Sequence, residues 1–226
     1  MEPSSKNTPL ERTWRNKLYS LWDVALILLD EKISTWRSHL SLWLQQCPHG
    51  ARLITAGHCN FKAKQAGSIR LGTKVRFQAY WRSNRVGLNS QVIIHTLDHG
   101  IIEIGDNSGG SSVVISAMNR VTIGSNVRIG GNVRIFDHDF HSLDMTERTT
   151  LPLNLQNIRN APIVIEDGVF IGTGAMILKG AVIGENSIIG AGAVVSGPIP
   201  ANEIWVGNPA RFVKKIKSHD QYTPSL

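Results

Sequence analysis

Residues 163–198 read IVIEDGVFIGTGAMILKGAVIGENSIIGAGAVVSGP, and one position recurs every six residues as Ile165, Ile171, Ile177, Ile183, Ile189 and Val195. Two places before each stands Ile163, Val169, Ala175, Ala181, Ser187 or Ala193, so each hexad offers one branched aliphatic and, in the later hexads, one small residue. A spacing of two puts both on one face of a short strand. Gly or Asn follows at Gly168, Gly172, Gly174, Gly180, Gly184, Asn186, Gly190 and Gly192, where a chain that turns every six residues needs conformations most side chains resist. Strands this short cannot bury an apolar face alone. They must stack, and the pattern predicts a parallel β-helix in which three hexads close one triangular coil.

The rhythm runs earlier through Val121, Ile123, Val127, Ile129, Val133 and Ile135, and more loosely through Ile69, Leu71, Val75, Phe77, Ile102 and Ile104. Ile104 to Ile123 is one residue longer than three hexads, which places a bulge near Ser108–Ser112. Thirty residues separate Ile135 from Ile165, and residues 136–162 do not keep the repeat. A loop leaves the solenoid there, and loops on a rigid scaffold are where chemistry concentrates.

The 226 residues suffice for one elongated domain with an accessory segment. No apolar run reaches the length of a membrane span and the N-terminus lacks a signal-peptide pattern, so a cytoplasmic location is the expectation. Cys47 and Cys59 give neither a disulfide framework nor a zinc pattern. The net charge of +7 sits in residues 51–100, where eight Lys or Arg face Asp98 alone. That points to an anionic partner such as lipid phosphate, an acidic glycan or a phosphorylated cofactor, the alternative being a solvated face. Nucleic acid is disfavoured, because no recognition motif accompanies the charge.

In residues 1–49, Leu18, Trp22, Ala25, Leu29, Ile33, Trp36, Leu40 and Trp43 recur at steps of three and four, the stripe of one long amphipathic helix or two shorter ones. Asp30 and Glu31 are the expected break, and Pro48 with Gly50 the end. The stripe is expected to cap the open end of the solenoid or pack between subunits, with peripheral contact at the inner face of a membrane as the alternative.

The projecting loop holds Asp137, His138, Asp139, His141 and Asp144. Imidazoles titrate near neutrality and a nearby carboxylate can fix their tautomer, so the cluster suits proton transfer. A metal site that recruits His95 and His99 competes, without a matched ligand set to support it; no metal is expected.

The hexads, followed by Ile-Trp-Val-Gly-Asn-Pro-Ala-Arg-Phe-Val over Ile204–Val213, resemble the hexapeptide-repeat acyltransferases. Ser83-Asn84 with Gly87–Asn89, Ile104-Gly105-Asp106-Asn107 and Phe140-His141-Ser142-Leu143-Asp144 are similar to the branch that O-acetylates sugars of surface polysaccharides. The resemblance covers roughly residues 50–216. It implies an all-β, left-handed parallel β-helix over 50–213 that works as a homotrimer with acetyl-CoA, preceded by the helical segment and followed by a basic tail at 214–226. It implies His141 as the general base that takes a sugar hydroxyl proton during direct attack on the thioester, with Asp139 or Asp144 orienting the imidazole. Gly172, Gly174, Ala175, Gly190, Ser196, Arg211 and Lys214 would meet the coenzyme in a groove between subunits. Asn84, Asn107, Ser111, Asp137 and His138 would surround a sugar or glycan acceptor, lipid- or nucleotide-linked. Relatives often carry Thr-Lys-Asp where Ser196-Gly197-Pro198 stands, Ser-Gly at Ser111-Ser112, and Glu at Asn119. N-acylation of an amino sugar, a metal-dependent hydratase and a non-catalytic scaffold are the competing readings.

Overall fold

The computed structural model describes residues 9–79, 91–150 and 155–216, with side chains from Lys17 onward. It is a left-handed parallel β-helix with three sheets as its faces. Sheet A stacks β3 (Ile69–Leu71), β6 (Ile101–Ile104), β9 (Arg120–Ile123), β12 (Ile163–Ile165), β15 (Val182–Ile183) and β18 (Pro198–Ile199). Sheet B stacks β1 (Ile54–Ala56), β4 (Arg76–Gln78), β7 (Gly109–Ser111), β10 (Arg128–Ile129), β13 (Phe170–Ile171), β16 (Ile188–Ile189) and β19 (Glu203–Val206). Antiparallel β20 (Arg211–Lys215) closes that sheet and carries it two residues past the expected end of the solenoid. Sheet C stacks β2 (Cys59–Lys62), β5 (Val92–Thr96), β8 (Val114–Ala117), β11 (Arg134–Phe136), β14 (Met176–Leu178) and β17 (Val194–Val195).

The repeat position from Ile165 to Val195 is buried throughout, as is the partner position two residues earlier. Each branched rung stacks on the one a coil away, so Ile135, Ile177 and Val195 form one column and Ile123, Ile165 and Ile183 another. Burying one such side chain contributes about 1.5–3 kcal/mol, and the stack repeats that gain coil after coil. Corner residues take the left-handed conformation, with Asn107, Asn126, Asn132, Asn186 and Asn202 all near φ +60°. Asn tolerates that region because its short amide bonds locally.

The extra residue between Ile104 and Ile123 is not a bulge at Ser108–Ser112. Gly110 pairs with Ile129 and Ile115 with Ile135, so the corner at Ser111-Ser112 is one residue short. Two extra residues sit instead at the Met118-Asn119 corner between β8 and β9, where the Asp137 carboxylate accepts both backbone N–H groups at 2.8 Å.

One helix, α1 (Pro9–Leu44), runs unbroken through Asp30 and Glu31. Those acids do not break it because both bond to the solenoid. Asp30 accepts from Gly57 N at 2.6 Å, and Glu31 accepts from Arg76 at 3.0 Å. The helix caps the first coil, as expected, but with its polar face. Ser34 donates to Gly57 O, Thr35 bonds both N–H and C=O of Thr55, and Gln45 bonds Phe61 O and Ala63 N. An open strand edge presents unpaired amides, and polar side chains satisfy them where an apolar stripe cannot. Among the described side chains of the helix Leu42 alone is fully buried, while Trp22, Trp36 and Trp43 stand exposed.

Candidate active site

The loop leaves sheet C after Phe136 and rejoins sheet A at Ile163. Its two limbs are tied at the base, where Ala161 N donates to Asp137 O at 2.9 Å and Asp139 N to Arg159 O at 3.1 Å. Asp137 and His138 are wholly buried there, with Nδ1 of His138 at 2.8 Å from Asp137 Oδ1. The carboxylate thus binds an imidazole and a neighbouring corner together. Nε2 of His138 is buried without a hydrogen-bond partner. Neither side chain faces outward to meet an acceptor, so in this conformation the pair builds the loop's foundation.

His141 sits farther out, exposed to solvent and without a hydrogen bond among the described residues. Both its neighbours are held. Phe140, at φ +63°, packs edge-on against Phe136 at 5.0 Å between ring centres and against His138 at 4.3 Å. Ser142 is buried and donates to Glu147 at 2.6 Å. Beyond it, Asp144 caps the short helix α2 (Met145–Thr149) by accepting from Thr146 N and Glu147 N. Those two backbone donors hold the Asp144 carboxyl below the usual carboxylate range.

Neither Asp139 nor Asp144 is hydrogen-bonded to His141 among the described residues; each bonds elsewhere. Asp144 is committed to the cap, and Asp139 pairs with Lys179 of the next coil. In both acids it is Oδ1 that makes these bonds. Turn chemistry and a cross-coil lysine engage these acids, so proximity to His141 in sequence does not by itself pair them with it.

The remaining candidates fall on different edges of the prism. Gly172, Gly174, Ala175 and Gly190 lie at the edge between sheets B and C, as does Ser111. The Ala175 side chain points into the core. A Cβ at Gly172 would sit 2.5 Å from Ala191 N, and one at Gly190 2.6 Å from a Val206 methyl, so coil stacking requires both glycines. Gly174 and Gly192 differ. Both have positive φ and nothing within 4 Å of the Cβ position, leaving open backbone along that edge. Asn107 occupies the edge between sheets A and B, where its carbonyl accepts from Arg128 at 2.7 Å. Asn84 lies outside the described residues.

His141 belongs to the third edge, between sheets C and A, with Lys179 and Ser196-Gly197 above it. At the C-terminal end of the solenoid, Ser196 and Gly197 join Trp205 and Arg211 of sheet B in lining a cleft of about 160 Å³. Arg211 is exposed and donates one N–H to Ala210 O. Lys214 continues the same strand. Burial, with the nearby Asp30 charge, pushes the Cys59 thiol up to about 12, so it is no nucleophile at neutral pH. Among the described residues no three His, Cys, Asp or Glu side chains are grouped to hold a metal ion.

Residues 162–197 match the family model described as bacterial transferase hexapeptide, six repeats. A putative acetyltransferase of Saccharomyces cerevisiae is 37% identical over 175 residues, covering 69% of this chain and 86% of that protein. This chain belongs to the hexapeptide-repeat transferase family. Within the family, a putative lipopolysaccharide biosynthesis O-acetyl transferase of Escherichia coli is 32% identical over 120 residues, or 51% of this hexapeptide transferase. The chain spans 61% of that relative's length. An N-acyltransferase from Bacillus cereus, solved with dTDP and 3-hydroxybutyryl-CoA, shares the fold at a TM-score of 0.62 and 17% identity, covering 79% of this chain and 88% of the other.

Proposed function

We propose that the protein is an acetyl-CoA-dependent O-acetyltransferase acting on a hydroxyl of a sugar or surface-polysaccharide intermediate. The observation that carries this reading is His141, exposed and unpaired between two fixed neighbours in a loop anchored by buried groups. An imidazole held in this way is poised for a substrate proton. Acetyl-CoA supplies the activated acetyl thioester. His141 removes the proton from the acceptor hydroxyl as the oxygen attacks the thioester carbonyl. When the tetrahedral adduct collapses, the C–S bond breaks and the imidazolium returns its proton to the departing thiolate.

The residues present suit the coenzyme. Open backbone at Gly174 and Gly192 can receive pantetheine amides, and Arg211 with Ser196 offers a cationic mouth for the nucleotide end. Gly174 and His141 flank sheet C on opposite edges. A single subunit thus presents each half of the site outward on a different edge. This supports a homotrimer in which one subunit's histidine edge meets a neighbour's glycine edge. The basic first half of the chain suits an acceptor carried on a phosphate, whether lipid- or nucleotide-linked.

The test is thiol release from acetyl-CoA with sugars, nucleotide sugars and lipid-linked oligosaccharides as acceptors, comparing wild type with His141→Ala and His138→Ala. Turnover lost in His141→Ala with coenzyme binding retained supports the base. A preference for amino-sugar acceptors would replace O- by N-acylation. Absence of both turnover and coenzyme binding would leave a scaffold.

A further inference from the structure

We propose that the outward face of α1 docks on the surface of an anionic lipid bilayer. At about 100° per residue, the stripe through Trp22, Leu29, Ile33, Trp36, Leu40 and Trp43 lies opposite the row of Asp30, Ser34, Ser38 and Gln45 that bonds the first coil. Because that row closes the open strand edges, the stripe looks away from the solenoid at its N-terminal end. Trp22, Trp36 and Trp43 are 64%, 66% and 70% exposed.

The charges on this end are sorted by sign. Among residues 17–67 the acids are Asp23, Asp30 and Glu31, all half-buried, and the last two are bonded to Gly57 N and Arg76. The bases Lys17, Lys32, Arg37, Arg52, Lys62 and Lys64 are all exposed. A surface that turns its acids inward and leaves its bases and tryptophans outward complements lipid phosphates above an apolar layer.

The shape of the apolar surface argues against a second copy of the helix as the occupant. Leu18, Leu21, Trp22, Val24, Leu28 and Leu29 spread over nearly half the circumference, each over half exposed. A helix–helix seam uses a narrow stripe, whereas a deformable lipid surface accepts a broad one studded with tryptophan. Among the described residues no helix is long and apolar enough to cross a membrane, so α1 would lie in the interface.

The experiment is co-sedimentation of the full chain with phosphatidylcholine vesicles and with vesicles that also contain phosphatidylglycerol. The mixed vesicles should carry the protein down, shift its tryptophan emission to the blue and release it as salt rises. Combined Trp22→Glu, Trp36→Glu and Trp43→Glu should lower vesicle affinity about a hundredfold or more. Lys17→Glu, Lys32→Glu and Arg37→Glu together should do so for the anionic vesicles, by a purely charge-based route that leaves the apolar face intact. Wild-type protein that stays in the supernatant at low salt would overturn the proposal. So would a change in particle mass by light scattering when the tryptophans are replaced, which would make the face a contact between copies. Neither outcome depends on acetyl transfer.

Discussion

Two edges of the prism behave in opposite ways. From sheet A to sheet B every coil takes six residues, as in Leu71 to Phe77, Ile104 to Gly110, Ile123 to Ile129, Ile165 to Ile171 and Ile183 to Ile189. From sheet C to sheet A the corresponding steps are ten, ten, eight, thirty, six and four residues, from Phe61–Leu71 to Val195–Ile199. The first edge holds the register of the stack. The second absorbs every length the chain needs to project its histidine, because a corner that grows outward leaves the rungs in place.

The largest expected effect separates chemistry from stacking. His141→Ala, on the variable edge, should lower kcat by about 10²–10⁴-fold with the melting temperature unchanged, by steady-state kinetics and calorimetry. Ile177→Ala, in a core column, should do the reverse, costing about 2–5 kcal/mol of stability by denaturant titration. Next comes a test by insertion. Two glycines added after Lys179, on the variable edge, should cost about 1 kcal/mol or less, as a slightly longer loop does. The same pair added after Asn186, on the constant edge, should abolish the cooperative transition by forcing the rungs out of register. Equal effects at both places would break the comparison.

Smaller effects sharpen it. Lys179→Ala releases Asp139 from a partly exposed ion pair and should cost about 0–1 kcal/mol, while loosening the loop enough to raise amide exchange around His141. The pH dependence has a definite sign. His39 is held below its usual pKa by burial and by His49, with which it shares a 2.8 Å hydrogen bond, and burial with Lys62 lowers His95 in the same way. The folded state favours the neutral rings, so their contribution is full above the ordinary histidine value near 6.5 and fades as pH falls below it. Melting temperature should therefore decline on acidification from neutrality, and His39→Gln should flatten part of that decline.

The stack was legible because its signal is one side-chain position repeated six times, and burial enforces each repeat. The candidate site stood out in sequence at His141, while the bonds that Asp139 and Asp144 make depend on turn and cross-coil contacts that spacing does not reveal. Asp139 and Asp144 lie near His141 in sequence, yet Lys179 is forty residues away from Asp139 along the chain and adjacent only after coiling. The adjacent Asp137-His138 pair was visible as letters, but its burial follows from a corner two coils' worth of packing decides. The stripe of α1 was legible as one helical face, but the cap on the first coil, one role expected of it, is made by the polar row instead, since periodicity says which residues cluster and not what they meet.

On the proposed function, His141 and the open glycine edge belong to one site only when two subunits meet. The most direct test of this claim is subunit complementation. His141→Ala and Gly174→Trp, each inactive alone, are mixed and allowed to exchange, with native mass spectrometry confirming mixed oligomers. If neighbours share the site, acetyl transfer should recover to about a quarter of wild type, the share of interfaces that join an intact histidine edge to an intact glycine edge. Mixed oligomers no more active than their parents would contradict the claim and place the whole site within one chain.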